Sequence, residues 1–174
     1  GGGHRVLLRN INGTYTVLAG KLGVAGTLDG LDTLARFNKI SSLLFSHTED
    51  TIYISDRFNS KIRRLIRSTR QVTSLPVNGL LGPRQLAFTK RKDTLLIANS
   101  SGHTIHRYPI KALAGQLWCG AAGTLGYVDA ALTTSRFNFP MGIARCDSGW
   151  LVCDNTNRRI RLISFKGQIK TFAG

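Results

Sequence analysis

An all-β chain assembled from repeated four-stranded units is the fold class this sequence predicts, and three observations predict it. A glycine-bearing stretch returns in phase. Moved forward by 120 − 20 = 100 positions, Gly20, Gly23, Gly26, Asp29, Arg36, Phe37 and Asn38 become Gly120, Gly123, Gly126, Asp129, Arg136, Phe137 and Asn138. A third copy opens at the end, where Thr171, Phe172, Ala173 and Gly174 restate Val17, Leu18, Ala19 and Gly20 at a shift of 174 − 20 = 154. If these shifts span two and three units, each unit is roughly 50 residues, a period that belongs to propellers and solenoids. Between these marks short apolar runs alternate with turn residues, and nowhere do apolar residues keep a helical period over several turns.

The elements follow in order. Residues 5–9 and 14–18 are strand-like and joined by Asn10, Ile11, Asn12 and Gly13, an Asn-Gly hairpin signal. His4 through Gly20 aligns with Arg158 through Gly174, so the chain is expected to begin halfway through one unit and end at a unit boundary. In the glycine loop, Asp32 is placed to cap a single helical turn over residues 33–36, too short to count as an element. Strands are expected at 40–45, 51–54, 61–66 and 71–75 in the first full unit. In the second they fall at 85–88, 94–97, 104–108 and 115–118, with the short link 76–83 replacing the glycine loop. In the third they fall at 141–145, 150–153, 159–163 and 168–172. Four short strands per unit of this length make the blade of a β-propeller. The expected division is 1–20 as the last two strands of a preceding blade, 21–75 as a blade, 76–118 as a degenerate blade and 119–174 as a blade, all in one propeller domain.

With 174 residues and 42% hydrophobic content the chain can bury a core of domain size. The 24 Lys plus Arg against 9 Asp plus Glu give a net charge of +15, which favours polyanionic partners and equally describes a solvated basic surface. Three cysteines at 119, 146 and 153 have no metal-like spacing and no scaffold count; they read as small thiols filling sheet positions. No apolar run is long enough for a membrane helix, so no membrane partner is expected. The N-terminus lacks an apolar leader, so the expected compartment is cytosolic or organellar, unless a targeting segment lies outside this sequence.

Residues 56–63, DRFNSKIR, and 154–161, DNTNRRIR, resemble the NHL repeat: an Asp, two residues, Asn, two residues, a branched apolar residue and Arg. Residues 99–106 are a weakened copy, and the glycine loop with its Asp and the Arg-Phe-Asn triplet is similar to the segment preceding each NHL strand set. The resemblance implies four-stranded NHL-type blades in a closed ring of about six, which needs about 300 residues. This chain would be half of such a six-bladed ring, the remaining blades supplied by the rest of a longer chain or by another chain. The recurring residues read as scaffold. Asp56 and Asp154 can satisfy backbone donors in the turn that follows, and Asp29 and Asp129 recur in the glycine loop. Asn38 and Asn138 close the Arg-Phe-Asn triplets, and Asn59 and Asn157 suit left-handed turn positions. Phe37 and Phe137 can plug the gap between blades, and Arg63 and Arg161 can pair with an Asp between blades.

Function then rests on residues the repeat does not require. Lys90, Arg91 and Lys92 occupy the turn between first and second strands, while Arg67, Arg70, Lys166 and Arg9 occupy turns between third and fourth strands. In a blade those two turns share one end, which predicts a basic face. Some NHL propellers bind single-stranded RNA with such a face, so the resemblance implies a non-catalytic binding or scaffold module for RNA, a ribonucleoprotein or an acidic protein, with no cofactor. Stacking aromatics would favour RNA, and Phe165 is the only one expected nearby, Phe58 falling in the opposite turn. The alternative is a metal-dependent, lyase-like propeller enzyme, which needs histidines converging from several blades; His4, His47, His103 and His106 are scattered, and only His4 and His103 are equivalent. The glycine loops precede strands rather than a helix, so nucleotide binding of the phosphate-loop kind has no support.

Overall fold

The structure, a computed structural model, describes residues 4–174. It is all-β, its helical content confined to single 3-10 turns at Asp32–Leu34, Arg57–Asn59 and Ser100–Gly102. The chain falls into two compact units, Gly1–Leu75 and Pro76–Gly174.

In the first unit β1 (Arg5–Arg9) pairs with β2 (Tyr15–Gly20) through a turn in which Gly13 has a φ of 84°. β3 (Gly30–Leu31), β4 (Ile40–Phe45), β5 (Thr51–Asp56), β6 (Lys61–Ile66) and β7 (Gln71–Ser74) form one antiparallel sheet in the order β3-β7-β6-β5-β4. In the second unit β8 (Pro83–Phe88), β9 (Thr94–Asn99), β10 (Thr104–Pro109) and β11 (Gln116–Gly120) form one four-stranded meander. β12 (Pro140–Cys146), β13 (Gly149–Asp154), β14 (Arg159–Ser164) and β15 (Ile169–Ala173) form another. These are propeller blades: consecutive strands pair antiparallel through short turns. In two of the three sheets the second strand, β5 or β9, is covered on both faces, and residues 52–56 and 95–99 are buried without interruption.

Several local expectations are corrected. β3 was not expected; the loop strand is stitched to β7 by Gly30 opposite Val72 and by the Asp29 carboxylate, which accepts from the Ser74 N–H at 2.9 Å. Arg9 is the last residue of β1, opposite Tyr15, rather than a turn residue. Asp32 caps nothing: it lies inside its 3-10 turn at a φ of 49° and takes Arg70 Nη1 at 2.8 Å instead. Asn59 and Asn157 do not take the left-handed position; Ser60, His103 and Arg158 do, one residue later. The asparagine amides cross-link instead, each donating to a loop carbonyl, Gly26 or Gly126, and to the Asp three residues earlier. Of the cysteines only Cys119 is a buried thiol, pushed up in pKa by its burial; Cys146 is half-buried, and Cys153 is exposed opposite Ile160.

Each unit has its own core. Phe37 packs in the first with Val6, Leu18, Ile52, Ile54 and Val72, and Phe137 in the second with Ile105, Cys119, Ile143 and Val152. Both rings lie against a glycine: a Cβ on Gly20 or Gly120 would come within 2.9 or 3.2 Å of the phenylalanine and closer still to backbone, and both glycines have a φ of 88°.

Under each core phenylalanine runs a charged lattice. Arg63 and Arg161 have fully buried side chains, yet all five N–H groups of each find acceptors. Arg161 Nε and Nη2 donate to Asp129 Oδ1 at 3.1 and 2.5 Å, Nη1 to Asp154 Oδ2 at 2.8 Å and the Arg136 carbonyl at 3.1 Å, and Nη2 to the Val128 carbonyl at 2.9 Å. Arg63 repeats the set with Asp29, Asp56, Arg36 and Leu28. Asp56 and Asp154 also accept from the Asn38 and Asn138 N–H groups at 2.7 Å. Burial works against charge on Asp29 and Asp129, but the Ser74 and Thr171 N–H groups and the arginines outweigh it and hold both carboxyls below their ordinary range.

The β8–β11 blade keeps the framework and removes the charge. Asn99 stands where the others have Asp, Gly102 for Asn and His106 for Arg, and the link 76–83 contains no acid. Asn99 Oδ1 still accepts a backbone N–H, from Leu81 at 2.6 Å, and its amide lies 3.4 Å from His106 Nε2. The changes belong together, because an arginine buried there with half its carboxylates missing would be uncompensated. His106 is 3% exposed, and burial pushes its pKa down from 6.5 to about 4. Between those values the unfolded chain binds a proton that the folded chain does not, so stability falls as the pH drops from 6.5 towards 4, by up to about 3 kcal/mol. Thermal unfolding followed from pH 7.5 to 4.5 should show this fall, and His106→Gln should remove it; the lowered carboxyls act only at lower pH.

Candidate functional site

Four exposed cations that the lattice does not consume, Lys90, Arg91, Lys92 and Lys111, gather at one end of the β8–β11 sheet. The β8–β9 turn closes with Lys92 N–H donating to the Thr89 carbonyl at 2.9 Å and with Lys92 at a φ of 57°, which turns its side chain out of the pleat. Thr89 and Thr94 hydroxyls donate to Asp93 Oδ1 at 2.9 and 3.1 Å. These two bonds, helped by the charge of Arg91, hold the Asp93 carboxyl below its ordinary pKa while it stays exposed. Lys90, Arg91 and Lys92 are exposed, and among the described residues they make no ion pair. The next turn is tied to this one, Ile110 N–H donating to the Asp93 carbonyl at 2.8 Å, and brings the exposed Lys111 alongside. Arg91, Lys92, Asp93, Thr94, Pro109, Ile110 and Lys111 line a cleft of about 370 Å³.

A second cleft, of about 400 Å³, shares the Thr94 and Pro109 wall and adds Thr89, Leu96, Arg107, Gln116, Trp118 and Trp150. Its floor follows from strand register. Leu96 faces Arg107 and Arg107 faces Gln116 across the ladder, with Thr94 opposite Pro109, so the period of two sends all of them to one face. Trp150 meets Trp118 edge-on at 5.2 Å, and the 56% exposed Phe165 meets Trp150 in the same way at 5.2 Å, next to the exposed Lys166. The two tryptophans are the only ones in the chain.

The basic residues of the first unit are more occupied. Arg70 pairs with Asp32 at 2.8 Å; Arg67 donates to the Glu49 carbonyl at 2.9 Å and lies 5.8 Å over the Phe45 ring. Both line a cleft of about 450 Å³ with Leu8, Thr16, Leu18, Thr48, Asp50 and Ser68. Arg9 is exposed on β1. The scaffold residues Asp29, Asn38, Asp56, Asn59, Asp129, Asn138, Asp154 and Asn157 sit in the lattices and loops described above, and none enters these clefts.

Sequence reasoning missed the tryptophans, although a signal existed. Trp118 stands where the repeat puts Leu18, 100 positions earlier, and Trp150 where it puts Ile52, since Asp154 matches Asp56 at a shift of 98. Arg107 and Gln116 likewise replace Leu8 and Thr16, the pair at the same ladder position in the β1–β2 hairpin.

Three of the four histidines are engaged within the fold. His4 and His103 accept the Lys39 and Phe139 N–H groups on Nδ1, at 3.4 and 3.2 Å, and His106 is enclosed against Asn99. Among the described residues no three His, Cys, Asp or Glu are grouped to hold a metal, and no helix is long and apolar enough to cross a membrane.

No protein-family model and no curated protein matches the chain. Solved propeller-like structures do. An auxiliary nutrient binding protein from Bacteroides ovatus aligns at a TM-score of 0.67 and 16% identity, over 97% of this chain and 46% of that one. A streptogramin B lyase aligns at 0.61 and 14% over 99% and 55%. Virginiamycin B lyase from Staphylococcus aureus aligns at 0.58 and 14% over 98% and 63%. At such identities the likeness carries the fold alone, and the chain spans about half the length of the first of these structures.

Proposed function

We propose that this chain is part of an NHL-type propeller and serves as a non-catalytic binding module for a polyanion. The observation that carries the reading is the cluster of Lys90, Arg91, Lys92 and Lys111, four exposed cations in two adjoining turns that form no ion pair among the described residues; three of them line one cleft in which Asp93 is the single acid. Lys166 in the same unit adds to it. Arg9, Arg67 and Arg70 contribute less, since Arg70 is neutralised by Asp32 and Arg67 is held against Glu49 and Phe45. The NHL assignment is supported by the Asp, Asn and Arg lattice recurring at equal spacing in the β4–β7 and β12–β15 sheets. In this reading 1–20, 21–75, 76–118 and 119–174 are successive blade segments of one domain completed by further blades, and the polyanion is RNA, a ribonucleoprotein or an acidic protein.

Binding through about four cations to a single-stranded polyanion implies a log–log salt slope of about −3, and hence an affinity loss of about 50-fold between 50 and 200 mM salt. The variant Lys90→Ala, Arg91→Ala, Lys92→Ala should reduce that slope by about 2. Fluorescence anisotropy with labelled heparin and labelled oligouridylate measures both; a salt-independent affinity, or a triple variant with an unchanged slope, overturns the reading.

A further inference from the structure

We infer that the tryptophan cleft of the Pro76–Gly174 unit is a nucleobase-stacking site, and that the polyanion is a single-stranded nucleic acid; this rests on the polyanion reading and narrows it. Two adjoining clefts share the Thr94 and Pro109 wall. One is lined by Arg91, Lys92 and Lys111, the other by Trp118 and Trp150 with Arg107 and Gln116. A nucleotide presents the same pair of chemistries side by side, a phosphate and a planar base with hydrogen-bonding edges. Arg107 and Gln116 offer donors and an acceptor at the edge of the aromatic surface, and indole faces stack on any base without reading its identity. Phe165, exposed beside Lys166 and 5.2 Å from Trp150, continues the aromatic surface for a neighbouring base.

Both tryptophans rest partly buried against the core of this unit, but that packing does not call for indoles. Other copies of the repeat carry Leu18 and Phe172 at the first position and Ile52 at the second, and Ile52 is buried in a core that closes around it. Trp150 instead encloses an indole N–H that has no hydrogen-bond partner among the described residues, a cost that isoleucine would not incur. Arg107 and Gln116 stand where the β1–β2 hairpin has Leu8 and Thr16, and Arg107 is shared with Arg64 of the β4–β7 sheet, so what sets this cleft apart is the two indoles beside a cation and an amide. An acidic protein would satisfy the lysines, whereas every nucleotide brings a planar base together with its phosphate.

Because both tryptophans line the cleft, intrinsic fluorescence of the full chain reads its occupancy directly. Oligouridylate should quench that fluorescence, whereas inorganic polyphosphate, which has charge and no base, should bind through the lysines and leave it unchanged. Trp118→Leu and Trp150→Ile install the residues the repeat already uses there, so the blade keeps a compatible core; thermal unfolding confirms this. Each should weaken oligouridylate by about tenfold and leave polyphosphate affinity alone. Equal affinity for the two polymers with no quenching, or tighter binding of polyglutamate than of oligouridylate, overturns the nucleobase site while the polyanion reading stands. Failure of all three polymers to bind overturns both.

Discussion

Arg161→Met is expected to lower the unfolding free energy of the Pro76–Gly174 unit by about 3–5 kcal/mol, because it strands Asp154, whose side chain is fully buried, without its counter-charge. Asp129, 42% exposed, can rehydrate and adds little. The loss also removes the cation 5.3 Å over the Phe137 ring. The neighbouring blade shows how the same frame can do without charge, so the combined change Asp154→Asn, Asn157→Gly, Arg161→His, which installs the set found at 99, 102 and 106, should be more stable than Arg161→Met alone. Gly is part of that set for a reason: a Cβ on Gly102 would come 2.2 Å from the Asn99 amide. Urea unfolding followed by the fluorescence of Trp118 and Trp150 measures this unit specifically. A triple variant no better than the single one would show that the three positions are not exchangeable as a group.

Phe137→Ala should cost the same unit about 3–5 kcal/mol, the transfer term for a fully buried ring plus the cavity left behind. Gly120→Ala should also be severely destabilising, for a different reason. Its Cβ would lie 2.7 Å from the His103 carbonyl and 3.1 Å from Thr104 Cα, with the residue at a φ of 88°. The ring is only the third obstacle, at 3.2 Å, so removing it does not relieve the collision with backbone. The double variant should therefore be less stable than either single variant. Recovery of stability in the double variant would mean that the ring, and not the adjacent strand, dictates glycine at this joint.

Much of the fold was legible in one dimension. Strand pairs with turn residues between them, and a glycine loop returning at a fixed interval, are local patterns, and local patterns survive without knowledge of the partner. The spacing of Asp154, Asn157 and Arg161 was equally visible, but not which atoms they join: that Asn157 cross-links a loop carbonyl while Arg158 takes the left-handed turn depends on the loop at Gly126, far away in sequence. Strand β3 was missed because a two-residue strand has no periodicity to detect. Asp32 was misread because the Arg70 guanidinium outcompetes a capping role that only local sequence suggests.

The candidate site divides along the same line. Sequence by itself determined that Lys90, Arg91 and Lys92 share a turn and that the repeat does not demand them. Only the tertiary structure decided which cations are available, since Arg67 and Arg70 look alike in the sequence and are already engaged by Glu49 and Asp32. It alone brought Trp118, Trp150 and Phe165 into one aromatic surface beside the basic turn. The physical reason is range: backbone propensity and turn chemistry act over a few residues, whereas charge pairing and ring packing act between side chains that only the folded sheets bring within a few ångströms.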